Sequence, residues 1–287
     1  MQFRSDPATP KGPRHGDRPG ADTTALVLAG MTLNSTVMPP LDLVTLAIDF
    51  NELDVRAAYR DQPVGFRPYI DRLEATLRTE TAWQLPRRLV IGHSFGGMLA
   101  LSWLLSARDS ELARVDGLLL IGTTAGPMFD AARLRVGGAG GRGRRIPIKP
   151  ILPLWNLSWV TRATQAIVTR GRIEVGQVDF RTLPNPTDVA LDLAGWRNTD
   201  WRAMQSYRLA MNGFDVRERL ASLQIPAIVL HGTEDLLFPI SVADDLAQRL
   251  PRGELRVVDG AGHGLPLTHG GEVVRAVQDL MMSRQAS

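Results

Sequence analysis

The chain has 287 residues, enough for one large α/β domain with an insertion or for two small domains. Its 44% hydrophobic and 22% charged residues are ordinary for a globular protein, and no apolar run approaches the roughly 20 residues of a membrane span. The absence of cysteine excludes disulfides, thiolate catalysis and cysteine-ligated metals and favours a reducing, cytoplasmic setting, while a net charge of +3 is too small to argue for nucleic acid.

Residues 1–22 are polar and carry Pro7, Pro10, Pro13 and Pro19. They cannot supply a core and read as a disordered leader, without the apolar stretch of a secretory signal. Ala25 to Ala29 is a short apolar run, a buried strand, and Gly30, Met31 and Thr32 follow it. A second strand is expected from Leu43 to Ile48, ending at Asp49. From Phe66 to Thr79 the spacing of Ile70, Leu73 and Leu77 predicts a helix with one apolar face.

Leu89 to Ile91 reads as another buried strand, broken by Gly92-His93-Ser94-Phe95-Gly96. The dense apolar residues from Met98 to Leu105 then read as a buried helix. Leu118 to Ile121 is the next strand, closed by Gly122. Strands alternating with helices imply crossover connections and a mostly parallel sheet.

Between 125 and 206 this rhythm breaks. A Gly/Arg-rich stretch, 137–145, is followed by Pro147, Pro150, Pro153, Trp155 and Trp159. Helices are expected from Trp159 to Thr169, from Pro186 to Gly195 and through Met204 and Met211. We read a mainly helical insertion lying over the strand ends. The α/β rhythm resumes with a strand from Ala227 to Leu230, a helix from Val242 to Leu250, a strand from Leu255 to Val258 and a closing helix from Val273 to Met282.

Ser94, Asp235 and His263 each sit where the chain leaves a buried strand. In a parallel sheet those ends lie on one edge, so residues distant in sequence converge there. G-x-S-x-G between a strand and a helix is the pattern of a nucleophile elbow: the glycines leave room for a tight turn that strains the serine, and the helix N-terminus points N–H groups at charge developing beside it. On these residues, with His231-Gly232-Thr233-Glu234-Asp235 and Gly260-Ala261-Gly262-His263 in family-like order, the chain resembles the α/β-hydrolases from about Ala25 to Met282.

That resemblance implies a core of 23–124 and 207–287, a sheet of about six strands flanked by helices, and a cap formed by 125–206. Because a serine hydroxyl is a poor nucleophile, it implies His263 as the base and Asp235 as the group that orients the imidazole. The oxyanion-hole donors would be the backbone N–H groups of Met31 and Phe95. No cofactor or metal is expected.

Other residues compete for these roles. Glu234 is the nearest rival of Asp235, and His269 is the rival base without a strand-end glycine setting. His93 reads as packing behind the site, His231 as structural, and Asp49 as lying on the far side. Three features depart from the family. Ala29-Gly30 stands where many members have His-Gly, the usual early strand pair has no counterpart in the leader, and Asp49-Phe50-Asn51-Glu52-Leu53 replaces a glycine-rich loop. Ser94 excludes the relatives that need an aspartate nucleophile, the haloalkane dehalogenases and epoxide hydrolases.

The function expected is cleavage of a carboxylic ester or thioester of a small, apolar acyl substrate through an acyl-enzyme. C–C bond hydrolysis, lactone opening, perhydrolysis or lyase chemistry by such a triad on the same fold, and a non-catalytic receptor, are the alternatives. Arg133, Arg135, Arg142, Arg144, Arg145 and Lys149 crowd the start of the insertion and read first as a solvated loop. One short tract without interleaved aromatics does not make an RNA site. Its functional reading is recognition of an acidic group: a carboxylate, a coenzyme A phosphate or the face of a carrier protein.

Overall fold

The central strands of this chain are buried along nearly their whole length rather than at alternate residues, because the sheet they build is covered on both faces. The computed structural model describes residues 22–31, 38–59, 65–107, 113–127, 199–235 and 237–282, with short stretches between 133 and 163. Among them, β1 (Thr23–Leu28), β2 (Val44–Ile48), β3 (Arg87–His93), β4 (Gly117–Ile121), β7 (Ala227–Gly232) and β8 (Gly253–Val258) form one sheet in the order β2-β1-β3-β4-β7-β8. Every pairing in it is parallel.

Successive residues of a strand point to opposite faces. Leu26, Leu28, Val90, Leu118, Leu120 and Val229 pack on one face against α1 (Arg67–Thr79), α2 (Phe95–Ser106) and α4 (Ile240–Arg249). Ala25, Val27, Leu89, Ile91, Leu119, Ile121, Ile228 and Leu230 pack on the other, against the short α5 (Leu265–Thr268) and the closing α6 (Gly270–Met282). α2 is apolar on nearly every side and sits at the centre of the first layer.

The strand order reverses at β1. From β1 the chain moves to β2 on one side and then crosses to β3 on the other. The chain thus leaves β1 and β3 toward opposite sides of the sheet, and it is at such a reversal, outside the carboxyl ends of the strands, that open α/β sheets bind ligands.

One helix lies across that edge. α3 (Trp201–Met211) begins at Asp200, whose side chain caps it by accepting from the Arg202 amide at 2.7 Å. The Asp200 amide donates to the Asn51 carbonyl after β2. Beyond the helix, the Val216 amide donates to the Ala125 carbonyl after β4 at 2.8 Å. α3 runs through residue 206, where the expected cap ended, because Ala203, Tyr207 and Ala210 share its core-facing side.

Between β4 and α3, β5 (Arg133–Val136) and β6 (Arg144–Pro147) form an antiparallel ladder with Leu134 opposite Ile146. Arg144 and Arg145 thus belong to a strand rather than to a loop. Residues 159–163 are helical as expected. The rest of the Gly/Arg-rich stretch, Trp155, and the helix expected from Pro186 to Gly195 lie outside the described residues, as does the leader up to residue 21. Among the described residues no helix is long and apolar enough to cross a membrane.

Candidate active site

Ser94 is the only non-glycine residue with positive φ among the described residues, at φ 52° and ψ −118°. Such a backbone costs about 1–3 kcal/mol and persists only when its surroundings over-determine it. They do. The Ser94 amide donates to the Ile121 carbonyl at 2.9 Å, and its own carbonyl accepts from the Thr123 hydroxyl at 2.7 Å and from the Gly97 amide at 3.0 Å. The glycines admit close neighbours. A Cβ on Gly96 would stand 1.9 Å from the Leu28 carbonyl oxygen, and one on Gly92 would stand 2.6 Å from the Cα of Gly97.

The loops after β7 and β8 are laced together beside this turn. A Cβ on Gly232 would stand 2.1 Å from the Ala261 carbonyl oxygen, and the Glu234 amide donates to that oxygen at 2.9 Å. The Gly260 amide, at a left-handed φ of 71°, donates to the Thr233 hydroxyl. This lacing brings Asp235 and His263 face to face.

His263 Nδ1 lies 2.8 Å from Asp235 Oδ2, and its Nε2 lies 3.0 Å from Ser94 Oγ. The other carboxylate oxygen, Oδ1, accepts from the amides of Leu237 at 2.8 Å and Phe238 at 3.0 Å. Burial by itself would raise the Asp235 carboxyl. The His263 ring, the hydrogen bond from it, the nearby His231 and the Phe238 amide together hold it below the usual carboxylate range. An ionised Asp235 makes Nδ1 the protonated nitrogen of His263, so Nε2 presents its lone pair to the serine hydroxyl. Ser94 and His263 are buried, each with 9% of its surface exposed.

Met31 follows β1 and is partly buried against the main core. The loop carrying it passes close to the elbow, since a Cβ on Gly30 would stand 3.3 Å from Ser94 Cβ. Phe95 opens α2, where the first N–H groups have no intrahelical acceptor. Its ring is wedged among Phe66, Tyr69 and Tyr207, at centroid distances of 5.0, 5.0 and 4.6 Å.

The rivals stand apart from this line. Glu234 is exposed, the Nδ1 of His269 meets the Thr268 hydroxyl, and Asp49 is exposed at the end of β2. The two buried histidines do more than fill space. His231 donates from Nε2 to the Phe238 carbonyl at 2.7 Å, fixing the loop of Asp235, and burial lowers its pKa. His93 donates from Nε2 to the carbonyl of His263 at 2.9 Å. Nothing in the sequence marks these contacts, which join residues 7 and 170 positions apart.

The model of the alpha/beta hydrolase family matches residues 12–276. Among curated proteins, the chain is similar to the putative carbamate hydrolase RutD of Caulobacter sp. strain K31, 27% identical over 191 residues. That match takes in 64% of this chain and 61% of the relative, so the chain spans about three-fifths of the relative's length. It is also similar to the pimeloyl-[acyl-carrier protein] methyl ester esterase of Vibrio parahaemolyticus, 38% identical over 65 residues, 23% of this chain and 26% of that one. Among solved structures, a thermophilic esterase from Thermogutta terrifontis matches the fold with a TM-score of 0.68 at 17% identity, over 92% of this chain and 90% of that one. With the family model matched over most of its length and the sheet parallel throughout, the chain belongs to the alpha/beta hydrolase family.

Proposed function

We propose that the protein hydrolyses a carboxylic ester or thioester through an acyl-enzyme on Ser94. The observation that carries this reading is the unbroken line from Ser94 Oγ through His263 to Asp235, at 3.0 and 2.8 Å. As Ser94 Oγ attacks the carbonyl carbon, its proton passes to His263 Nε2. Asp235 stays ionised and stabilises the imidazolium. The tetrahedral oxyanion is met by the N–H groups of Phe95 and Met31 and by the positive end of α2. Collapse breaks the bond to the alcohol or thiol, which takes the proton back from Nε2. A water then repeats the sequence on acyl-Ser94 and releases the acid.

Intact mass after treatment with a fluorophosphonate tests the first half of this chemistry. One adduct on the wild type and none on Ser94→Ala is expected; no adduct on folded wild type overturns the reading. A panel of esters, thioesters, lactones and diketones then separates the ester and thioester reaction from the alternatives. A carrier-linked substrate is favoured by one observation: the Vibrio parahaemolyticus relative is named for an ester on an acyl-carrier protein. Arg142, Arg144 and Arg145 would meet such an acidic partner. Replacing all three by Gln is then expected to lower turnover of the carrier-bound substrate at least tenfold and leave small esters unaffected.

A further inference from the structure

The geometry points to His93 as a positioning residue, one side chain that ties the backbone of His263 to the strand bearing Ser94 and abuts the glycine ahead of Met31. This inference deepens the proposed hydrolytic site and rests on it. His93 is the last residue of β3 and has no exposed surface. Its Nε2 donates to the His263 carbonyl at 2.9 Å, and the two rings pack at a centroid distance of 5.0 Å. Base and nucleophile are therefore joined twice: by the bond between His263 Nε2 and Ser94 Oγ, and behind it by a bond to the backbone of the base.

The second nitrogen argues that stability alone does not account for this ring. Nδ1 is buried and meets no donor among the described residues. It faces Gly30 instead, where a Cβ would stand 3.0 Å away. A buried acceptor without a donor costs stability, and a leucine there would avoid that cost. Burial, followed by the neighbouring His263, lowers the ring to a pKa of about 3. At working pH it is neutral, and the observed bond fixes its single proton on Nε2. The ring spans from the carbonyl of the base to the loop expected to hold the oxyanion, so a shift of either moves the other.

The bond requires a donor at the reach of Nε2. A glutamine amide has that reach and an asparagine amide does not. We would measure the rate of fluorophosphonate labelling of Ser94 and the low-field NMR resonance of the His263 Nδ1 proton in wild type, His93→Gln and His93→Asn. Expected is labelling within a few-fold of wild type and an unmoved resonance for Gln. For Asn, labelling slows about 10–100-fold and the resonance is displaced, as small misplacements of reacting groups produce. Equal behaviour of the two variants overturns the inference.

If the wild type is not labelled, the hydrolase reading fails, and the resonance still decides the positioning role. If neither variant folds, Gly30→Ala replaces them in a Ser94→Gly background, where its methyl meets His93 Nδ1 at 3.0 Å and no longer a side chain at position 94. A displaced His263 resonance supports the inference, and an unmoved one overturns it.

Discussion

Both oxygens of Asp235 are occupied, Oδ2 by the His263 ring and Oδ1 by the amides of Leu237 and Phe238. Asp235→Asn keeps the second set and corrupts the first. Its NH2 group would face Nδ1, so the ring would turn its proton toward Ser94 and lose the lone pair that accepts from the hydroxyl. The fold is expected to survive while kcat falls by a factor on the order of 10⁴. Circular dichroism and turnover on one ester check both halves. The choice between Glu234 and Asp235 was legible only as a preference, because both follow the same strand. What separates them is that the Glu234 amide is drawn to Ala261, which turns its side chain out.

At the scale of the element, the elbow is a junction of three strands rather than a property of five residues. Gly96 admits the end of β1, and Gly97 admits Thr123 from the loop after β4, whose Cγ2 would lie 2.6 Å from a Cβ. Gly96→Ala drives a methyl into backbone that cannot rotate away. The cost is expected at or above the top of the about 1–3 kcal/mol typical of overpacking, read as loss of soluble protein or of thermal stability. Thr123→Val is milder: it removes one hydrogen bond to the Ser94 carbonyl, about 1 kcal/mol, and keeps the volume. The glycine pattern was visible in the sequence because the turn dictates it locally. The ladder of β5 and β6 was not, since glycine and arginine between residues 137 and 145 carry a loop's composition and hide the pairing of Val136 with Arg144.

For the whole molecule, the strands and their parallel arrangement were readable from apolar runs spaced by helices. The clamps at the site were not, because a ring reaching a carbonyl 170 residues away leaves no local signature. Those buried rings contribute to the response to acid. His93 falls from 6.5 to about 3 on folding, so between these values the unfolded chain binds the additional proton. Stability from this group is complete above about pH 6.5 and declines as the pH falls toward 3, by about 2 kcal/mol between pH 8 and pH 5. His231, also lowered by burial, acts in the same direction. Urea midpoints at the two pH values are expected to differ less in His93→Gln than in the wild type.

The bond from the Val216 amide to the Ala125 carbonyl has a consequence for how the chain tolerates change. It pins the chain after α3 to the end of β4, as the bond from the Asp200 amide to the Asn51 carbonyl pins it before α3, so the chain between 126 and 199 is a loop closed at two anchors. Closing such a loop costs entropy that grows only with the logarithm of its length, so halving or doubling the loop alters folding by only about 0.6 kcal/mol. The sheet edge with Ser94, Asp235 and His263 is thus insulated from the length of chain between these two anchors.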